Sequence, residues 1–246
     1  VIGGLTPKCS EDAVNLYKIF VRGDCVITNA RTAEMCKLTE NSFRDVNIAF
    51  ANELSIICDK QGIDVWELIA LANRHPRVKI LQPGPGVGGH CIAVDPWFIV
   101  SSNPEEARII KTAREVNDGK PNWIIEKVKK AIKTVSDQRP NQSDKELNIA
   151  CLGLTFKANI DDLRESPSLA IVTQIANEAS GSLMVVEPNI SELPEELTGK
   201  ARLIDVAEAL EKADIVVILV AHEQFSYIDF RRFENKTIID ACGVFS

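Results

Sequence analysis

The sequence contains no apolar run near the roughly 20 residues that a helix needs to cross a bilayer, so no membrane span is expected. No stretch has the pattern of a signal peptide. There is no CxxC pair. The seven cysteines, Cys9, Cys25, Cys36, Cys58, Cys91, Cys151 and Cys242, are odd in number and irregularly spaced. That argues against a disulfide framework and for a reducing, cytoplasmic setting. Neither His75 nor His90 belongs to a spaced Cys/His set, so no metal site is expected. Basic charge is also short, with 28 Lys and Arg against 35 Asp and Glu. A net charge of −7 argues against non-specific binding to nucleic acid. The GxGxxG fingerprint of a dinucleotide site is absent. The chain does not open on methionine. Val1-Ile2-Gly3-Gly4 reads as a strand ending in glycines, and the chain is expected to be the later part of a longer protein.

What is present is an ordinary globular composition, 45% apolar and 26% charged, enough for one large domain or two smaller ones. Residues 1–29 read as strand, helix and strand, with the helix from Ser10 to about Val21. From Thr32 to Lys60 the apolar spacing is helical without a Gly or Pro. Short helices are expected from Asp64 to Leu71 and from Pro104 to Asn117. Gly119-Lys120-Pro121 then reads as a break before another helix from Asn122 to Val135. The polar stretch 136–146 is the linker candidate. Beyond it, apolar strands (147–152, 183–186, 215–220, 237–239) alternate with helices (166–179, 206–213). That alternation implies a parallel sheet with helices on both faces.

The densest chemical signal is Pro83-Gly84-Pro85-Gly86-Val87-Gly88-Gly89-His90-Cys91, followed by Asp95. Glycine lets backbone approach a ligand closely, and proline stiffens its surroundings. Cys91 is therefore a candidate nucleophile, against the plainer alternative of a core cysteine. At a helix N-terminus its thiolate would be favoured by backbone amides. One helical turn would bring Asp95 to the same side, with Pro96 ending or bending that turn. Lys37, Asn41 and Arg44 lie four and three residues apart and form one stripe on the long helix. A solvated helix face is the bland reading. However, Asn is a poor helix-interior choice, and Asn47 and Asn52 crowd the same helix. A cation, an amide donor and a guanidinium suit an anionic substrate that passes through an oxyanion. Arg74-His75-Pro76-Arg77 offers phosphate or sugar contacts. Gly153-Leu154-Thr155-Phe156-Lys157 follows the first strand of the later sheet, where open parallel sheets bind ligands.

Four segments together resemble the UDP-sugar 6-dehydrogenases: EMCKLTENSFRDVNIAFANEL (34–54), NRHPRVKILQPGPGVGGHCIAVDPWFIV (73–100), AREVND (113–118) and GLTFKANIDDLRESP (153–167). HPRV with GPGVGGHCIAVDP is similar to the branch acting on N-acetylhexosamines. The resemblance implies an α/β fold, with a helical central dimerisation domain followed by a Rossmann-like parallel-sheet UDP-binding domain. The implied division is 1–30 as the tail of an NAD-binding Rossmann domain, 31–136 as the central domain and 147–246 as the UDP-binding domain. It implies a homodimer, NAD as cofactor, and UDP-N-acetylmannosamine as the expected substrate, with UDP-N-acetylglucosamine or UDP-glucose as the alternative for the same chemistry. C6 would be oxidised twice. Cys91 would be the covalent nucleophile, Lys37 and Asn41 the oxyanion groups, and Asp95 the group acting on water or tuning Lys37. Arg44, His75, Arg77, Gly88, Phe156 and Lys157 would contact substrate, with Arg77 reaching a partner's site. Arg164 would reach NAD. Cys242 stands where relatives tend to carry Lys or Arg, so one UDP contact is expected to be weaker.

Two other classes compete with this reading. A UDP-sugar-binding or dimerisation fragment without chemistry would have no need of Cys91. A cysteine hydrolase would need a base, and His90 is adjacent to Cys91 while His75 and His222 show no evident orienting partner.

Overall fold

The computed structural model describes residues 1–139, 147–179 and 181–245. The first elements are β1 (Ile2–Gly4), α1 (Pro7–Tyr17) and β2 (Ile27–Asn29), with β1 and β2 parallel. α1 starts earlier than Ser10 because Thr6 caps it and Pro7 occupies its first turn, where a missing N–H costs nothing. The Asn29 side chain accepts from Thr32 N–H at 2.9 Å and starts α2 (Ala30–Gln61), a helix about 48 Å long. Its buried stripe is small and polar (Asn41, Ser42, Asp45, Asn52, Ser55), while Phe43 and Phe50 are 67% and 51% exposed.

After α3 (Val65–Ala72) comes an extended, glycine-rich stretch, then α4 (Asp95–Ser102). Pro96 neither ends nor bends the turn after Cys91. It lies in the first turn of α4 and helps to start the helix.

The expected break at Gly119-Lys120-Pro121 does not occur. α5 runs unbroken from Arg108 to Gln138, past the expected linker start at 136. Both halves of α5 are anchored: the first packs on α2, and Ile124, Ile125, Val128 and Ala131 of the second pack on the later sheet. Burial on either side outweighs the lost backbone hydrogen bond at Pro121. Residues 140–146 of the linker candidate lie outside the described residues.

The sheet is wholly parallel, in the order β5-β4-β3-β6-β7, from β3 (Asn148–Leu152), β4 (Ser182–Val186), β5 (Ala201–Leu203), β6 (Ile215–Ile218) and β7 (Thr237–Asp240). β5 was not expected, because Ala-Arg-Leu at an edge carries no apolar run. One face (Ile149, Cys151, Val185, Val217) packs on α5 and α6 (Pro167–Glu178). The other (Ala150, Leu152, Met184, Val216, Ile218) packs on α7 (Val206–Lys212) and Phe225. Cys151 is a core residue, its thiol pushed up to about 12 by burial. The chain reverses direction across the sheet between β3 and β6, and ligands bind at such reversals.

Gly119 sits mid-helix with nothing within 4 Å of an added Cβ. Gly119→Ala is therefore expected to stabilise the protein by about 0.5–1 kcal/mol in urea unfolding, and a loss of stability would contradict an unbroken α5.

Candidate functional site

One turn of backbone brings the thiol segment to α2. Asp95 N–H donates to Cys91 C=O at 2.8 Å, so Cys91 and Asp95 bracket a helical turn just before α4. The Asp95 carboxylate accepts from Asn41 Nδ2 at 2.5 Å, and Asn41 Oδ1 accepts from Lys37 Nζ at 3.1 Å. Asn41 is buried, which fixes this Lys37–Asn41–Asp95 line, while Cys91 stays exposed beside its end. α4 begins at Asp95, so the Asp95 carboxylate, rather than the Cys91 thiol, occupies the helix's first turn.

The glycines of the thiol segment meet the later sheet. A Cβ on Gly88 would fall 2.5 Å from Glu165 O, 2.7 Å from Pro167 Cδ and 2.8 Å from Phe156 Cβ. Gly86 has φ 143°, and an added Cβ would meet Pro167, Asn117 O and Pro121. Only glycine permits so close a contact with the loop after β3. Lys157, next to Phe156, is exposed at that junction.

The remaining candidates stand apart. Arg44, His75 and Arg77 are exposed. Among the described residues no hydrogen bond or ion pair ties their side chains to the Lys37–Asn41–Asp95 line. His75 Nδ1 accepts from Arg77 N–H at 3.3 Å. Arg164 forks onto Asp162 (Nε 2.9 Å, Nη2 2.6 Å), and that guanidinium holds the Asp162 carboxyl down to about 2. Cys242 is partly buried, and burial followed by Asp240 pushes its thiol well up. It offers nothing basic to a ligand. Among the described residues no cluster of His, Cys, Asp or Glu could hold a metal ion. A groove of about 980 Å³ runs between α5 and the 163–178 segment, reaching Val87, Val94, Arg114 and Arg164.

Two polar clusters were not foreseen. His222 does have an orienting partner. Its Nδ1 accepts from Asn159 N–H at 3.0 Å, so Nε2 carries the proton and faces Glu187 Oε2 at 3.0 Å. Burial pushes the Glu187 carboxyl up, but His222 and the Leu154 and Asn189 N–H groups outweigh it and hold the carboxyl below its usual range. These groups converge because each lies in the loop that follows a buried strand, and Glu187, directly after apolar β4, was the signal available. His222 is fully buried, so it offers no base to Cys91.

The second cluster joins α2 to α5. Asp45 Oδ1 accepts from Arg114 Nη1 at 2.6 Å and Asn117 Nδ2 at 2.8 Å, all three residues at most 1% exposed. Burial pushes the Asp45 carboxyl up despite Arg114. Nearby, Lys120 is 2% exposed, donates to Ser55 Oγ and lies 4.2 Å from the Trp123 ring centroid. Burial, with Lys127 close by, lowers its ammonium to about 8.

Because the folded Lys120 binds its proton more weakly than an unfolded lysine, its effect on stability improves as pH rises from about 8 toward 10.5. Lys120→Met is expected to stabilise the protein most below that window. The advantage should shrink by on the order of 3 kcal/mol between about pH 7 and about pH 10 in urea unfolding of both proteins. A pH-independent difference would contradict the buried ammonium.

Two family models match the chain: the UDP-glucose/GDP-mannose dehydrogenase family central domain over residues 31–119, and that family's UDP binding domain over residues 150–246. The UDP-N-acetyl-D-mannosamine dehydrogenase of Escherichia coli (strain K12) is 63% identical, covering 99% of this chain and 58% of the relative. The NDP-N-acetyl-D-galactosaminuronic acid dehydrogenase of Ralstonia nicotianae is 60% identical over all of this chain and 56% of its own. A solved UDP-D-ManNAc dehydrogenase from Pyrococcus horikoshii superposes with a TM-score of 0.85 at 36% identity, over 99% of this chain and 56% of that one. The chain thus spans just over half the length of these relatives. With its helical central region, its parallel Rossmann-like sheet and both family models matched, the chain belongs to the UDP-glucose/GDP-mannose dehydrogenase family.

Proposed function

We propose that this chain carries the thiol and nucleotide-binding parts of an enzyme that oxidises UDP-N-acetyl-D-mannosamine at C6, from alcohol through aldehyde to acid, for bacterial surface polysaccharide. The observation that carries the reading is the Lys37–Asn41–Asp95 line ending at the Cys91 turn, on a segment whose Gly88 abuts Phe156 at the mouth of the later sheet. The E. coli relative's name supports the mannosamine epimer.

NAD, the acceptor implied by the family, would be consumed twice, two NAD+ each taking one hydride from C6. The described residues do not cradle it. Gly3 and Gly4 are adjacent and so fill no more than one position of the G-x-G-x-x-G fingerprint before α1, and Arg164 is engaged by Asp162. The chain by itself is therefore expected to bind the UDP-sugar without turning it over. Its own residues act on either side of the hydride removals. The Cys91 thiolate adds to the aldehyde carbon; a C–S bond forms and the carbonyl electrons pass to oxygen. Lys37 Nζ and the second N–H of Asn41 Nδ2 stabilise that oxyanion. At the thioester stage, water adds to C6 and the C–S bond breaks, returning the thiolate. Asp95 orients the water and accepts its proton. Phe156 and Lys157 hold the uridine diphosphate, with Gly88 giving the sugar close access to backbone. Arg44 and His75 complete the substrate shell. Exposed Phe43 and Phe50 on α2 support a homodimer through the central helices, in which Arg77 reaches the partner's site. Among the described residues no helix is long and apolar enough to cross a membrane. Together with seven free cysteines, this supports a cytoplasmic location.

The test is a chimera of this chain behind the region of the E. coli relative that it does not cover. Wild type should reduce NAD on addition of UDP-N-acetylmannosamine. Cys91→Ser should stop at the aldehyde or first-oxidation stage, and Lys37→Met should slow acid formation by about 10²–10³-fold. Near-normal acid formation by Cys91→Ser would overturn the mechanism. A higher kcat/KM for the gluco epimer would overturn the substrate assignment.

A further inference from the structure

Asparagine is a poor residue for a helix interior, yet Asn47 and Asn52 both lie in α2, outside the Lys37–Asn41–Asp95 line. Their amides, with that of Asn73 at the C-cap of α3, turn to one place. Residues 79–84 lead toward the glycine-rich turn, and among the described residues no strand pairs with them. Asn47 Nδ2 donates to Lys79 C=O at 2.9 Å, and its Oδ1 accepts from Leu81 N–H at 2.9 Å. Asn73 grips the residue between: Nδ2 donates to Ile80 C=O at 2.9 Å, and Oδ1 accepts from Ile80 N–H at 2.7 Å. Asn52 Oδ1 accepts from Gly84 N–H at 2.9 Å, while its Nδ2 donates to Asn117 Oδ1 at 2.8 Å.

This is the alternation of a β-ladder. Successive residues of an extended chain turn their backbone polar groups to opposite edges, so 79 and 81 face one partner and 80 the other. Here side-chain amides take the place of flanking strands. Asn47 and Asn73 each present one donor and one acceptor to the segment, the pair a strand residue presents, while Asn52 gives it an acceptor alone. The segment links Arg77 to the turn that ends at Cys91, and Asn52 ties its far end into the buried α2–α5 cluster.

We propose that Asn47, Asn73 and Asn52 are positioning residues that clamp segment 79–84 and so fix where the Cys91 turn begins. Their bearing on turnover rests on the proposed C6 oxidation; the clamp itself does not. A thiol that must meet one sugar carbon tolerates little drift of the backbone delivering it, because a misplacement of about 1 Å costs on the order of 10²-fold in rate.

The test separates donor from acceptor. Asn47→Ala removes both, whereas Asn47→Asp keeps the acceptor for Leu81 and loses the donor to Lys79. In residue-resolved hydrogen exchange on the unliganded 246-residue chain, Leu81 N–H should exchange about tenfold faster in Asn47→Ala and stay near the wild-type rate in Asn47→Asp. General destabilisation would not distinguish the two. In the chimera, Asn47→Ala should lower kcat by about tenfold while KM for the UDP-sugar moves less than about threefold. Wild-type exchange at Leu81 in Asn47→Ala, or an unchanged kcat in that variant, would overturn the proposal. An inactive wild-type chimera would sink the functional reading, leaving the exchange pattern to decide the clamp.

Discussion

The arrangement depends on one buried carboxylate. Asp45 is wholly enclosed on α2 and is met there by Arg114 and Asn117 of α5. Taking a carboxylate and a guanidinium out of water costs several kcal/mol per ion, and their attraction roughly offsets that cost. The pair is therefore poorly suited to adding stability. It is well suited to setting register: an Asp45 without Arg114 would be an uncompensated buried charge, so α2 and α5 can meet in only one alignment. Asp45 Oδ2 and Arg114 Nε have no partner among the described residues, so the junction is not fully satisfied even so. From this join, Asn117 reaches Asn52, Asn52 reaches Gly84, and the glycine-rich segment continues to Cys91.

α5 carries that register to the rest of the molecule. Its first half is fixed to α2 and its second half lies on the sheet, so a single 31-residue helix sets the distance between the Lys37–Asn41 stripe and the mouth of the sheet. Gly88 and Phe156 close the gap from the other side. The two halves of the site are thus built from different parts of the chain and meet through backbone contact that a single methyl group would obstruct.

Much of this was legible in the sequence. The uninterrupted helical period of α2 and the alternation of apolar strands with helices marked the architecture, because burial on both faces is what the apolar strands record. Helical spacing put Lys37 and Asn41 on one stripe and Cys91 and Asp95 on one turn; only the family resemblance grouped Asp95 with Lys37 and Asn41, and Arg44, which the spacing placed in the same stripe, stands apart. The continuity of α5 was not legible, since Gly119 and Pro121 are local breakers and only the packing on both flanks overrides them. Nor was the inverted character of α2, where Asp45, Asn52 and Ser55 are inside and Phe43 and Phe50 outside. Asn47 and Asn52 stood out as anomalies, but their partners are brought in by a loop more than 30 residues away. His222 looked isolated for the same reason: Glu187 lies 35 residues away in sequence and 3.0 Å away in space.

The central claim is that the α2–α5 register presents Cys91, Lys37 and Asn41 to one carbon of a UDP-sugar whose nucleotide rests at the end of the parallel sheet. The most direct measurement is a crystal structure of the chain with UDP-N-acetylmannosamine bound. The account predicts C6 within about 3.5 Å of Cys91 Sγ, with Lys37 Nζ at hydrogen-bond distance from the C6 oxygen. A sugar seated instead in the groove beside Arg164, or one whose C6 points away from Cys91, would contradict it.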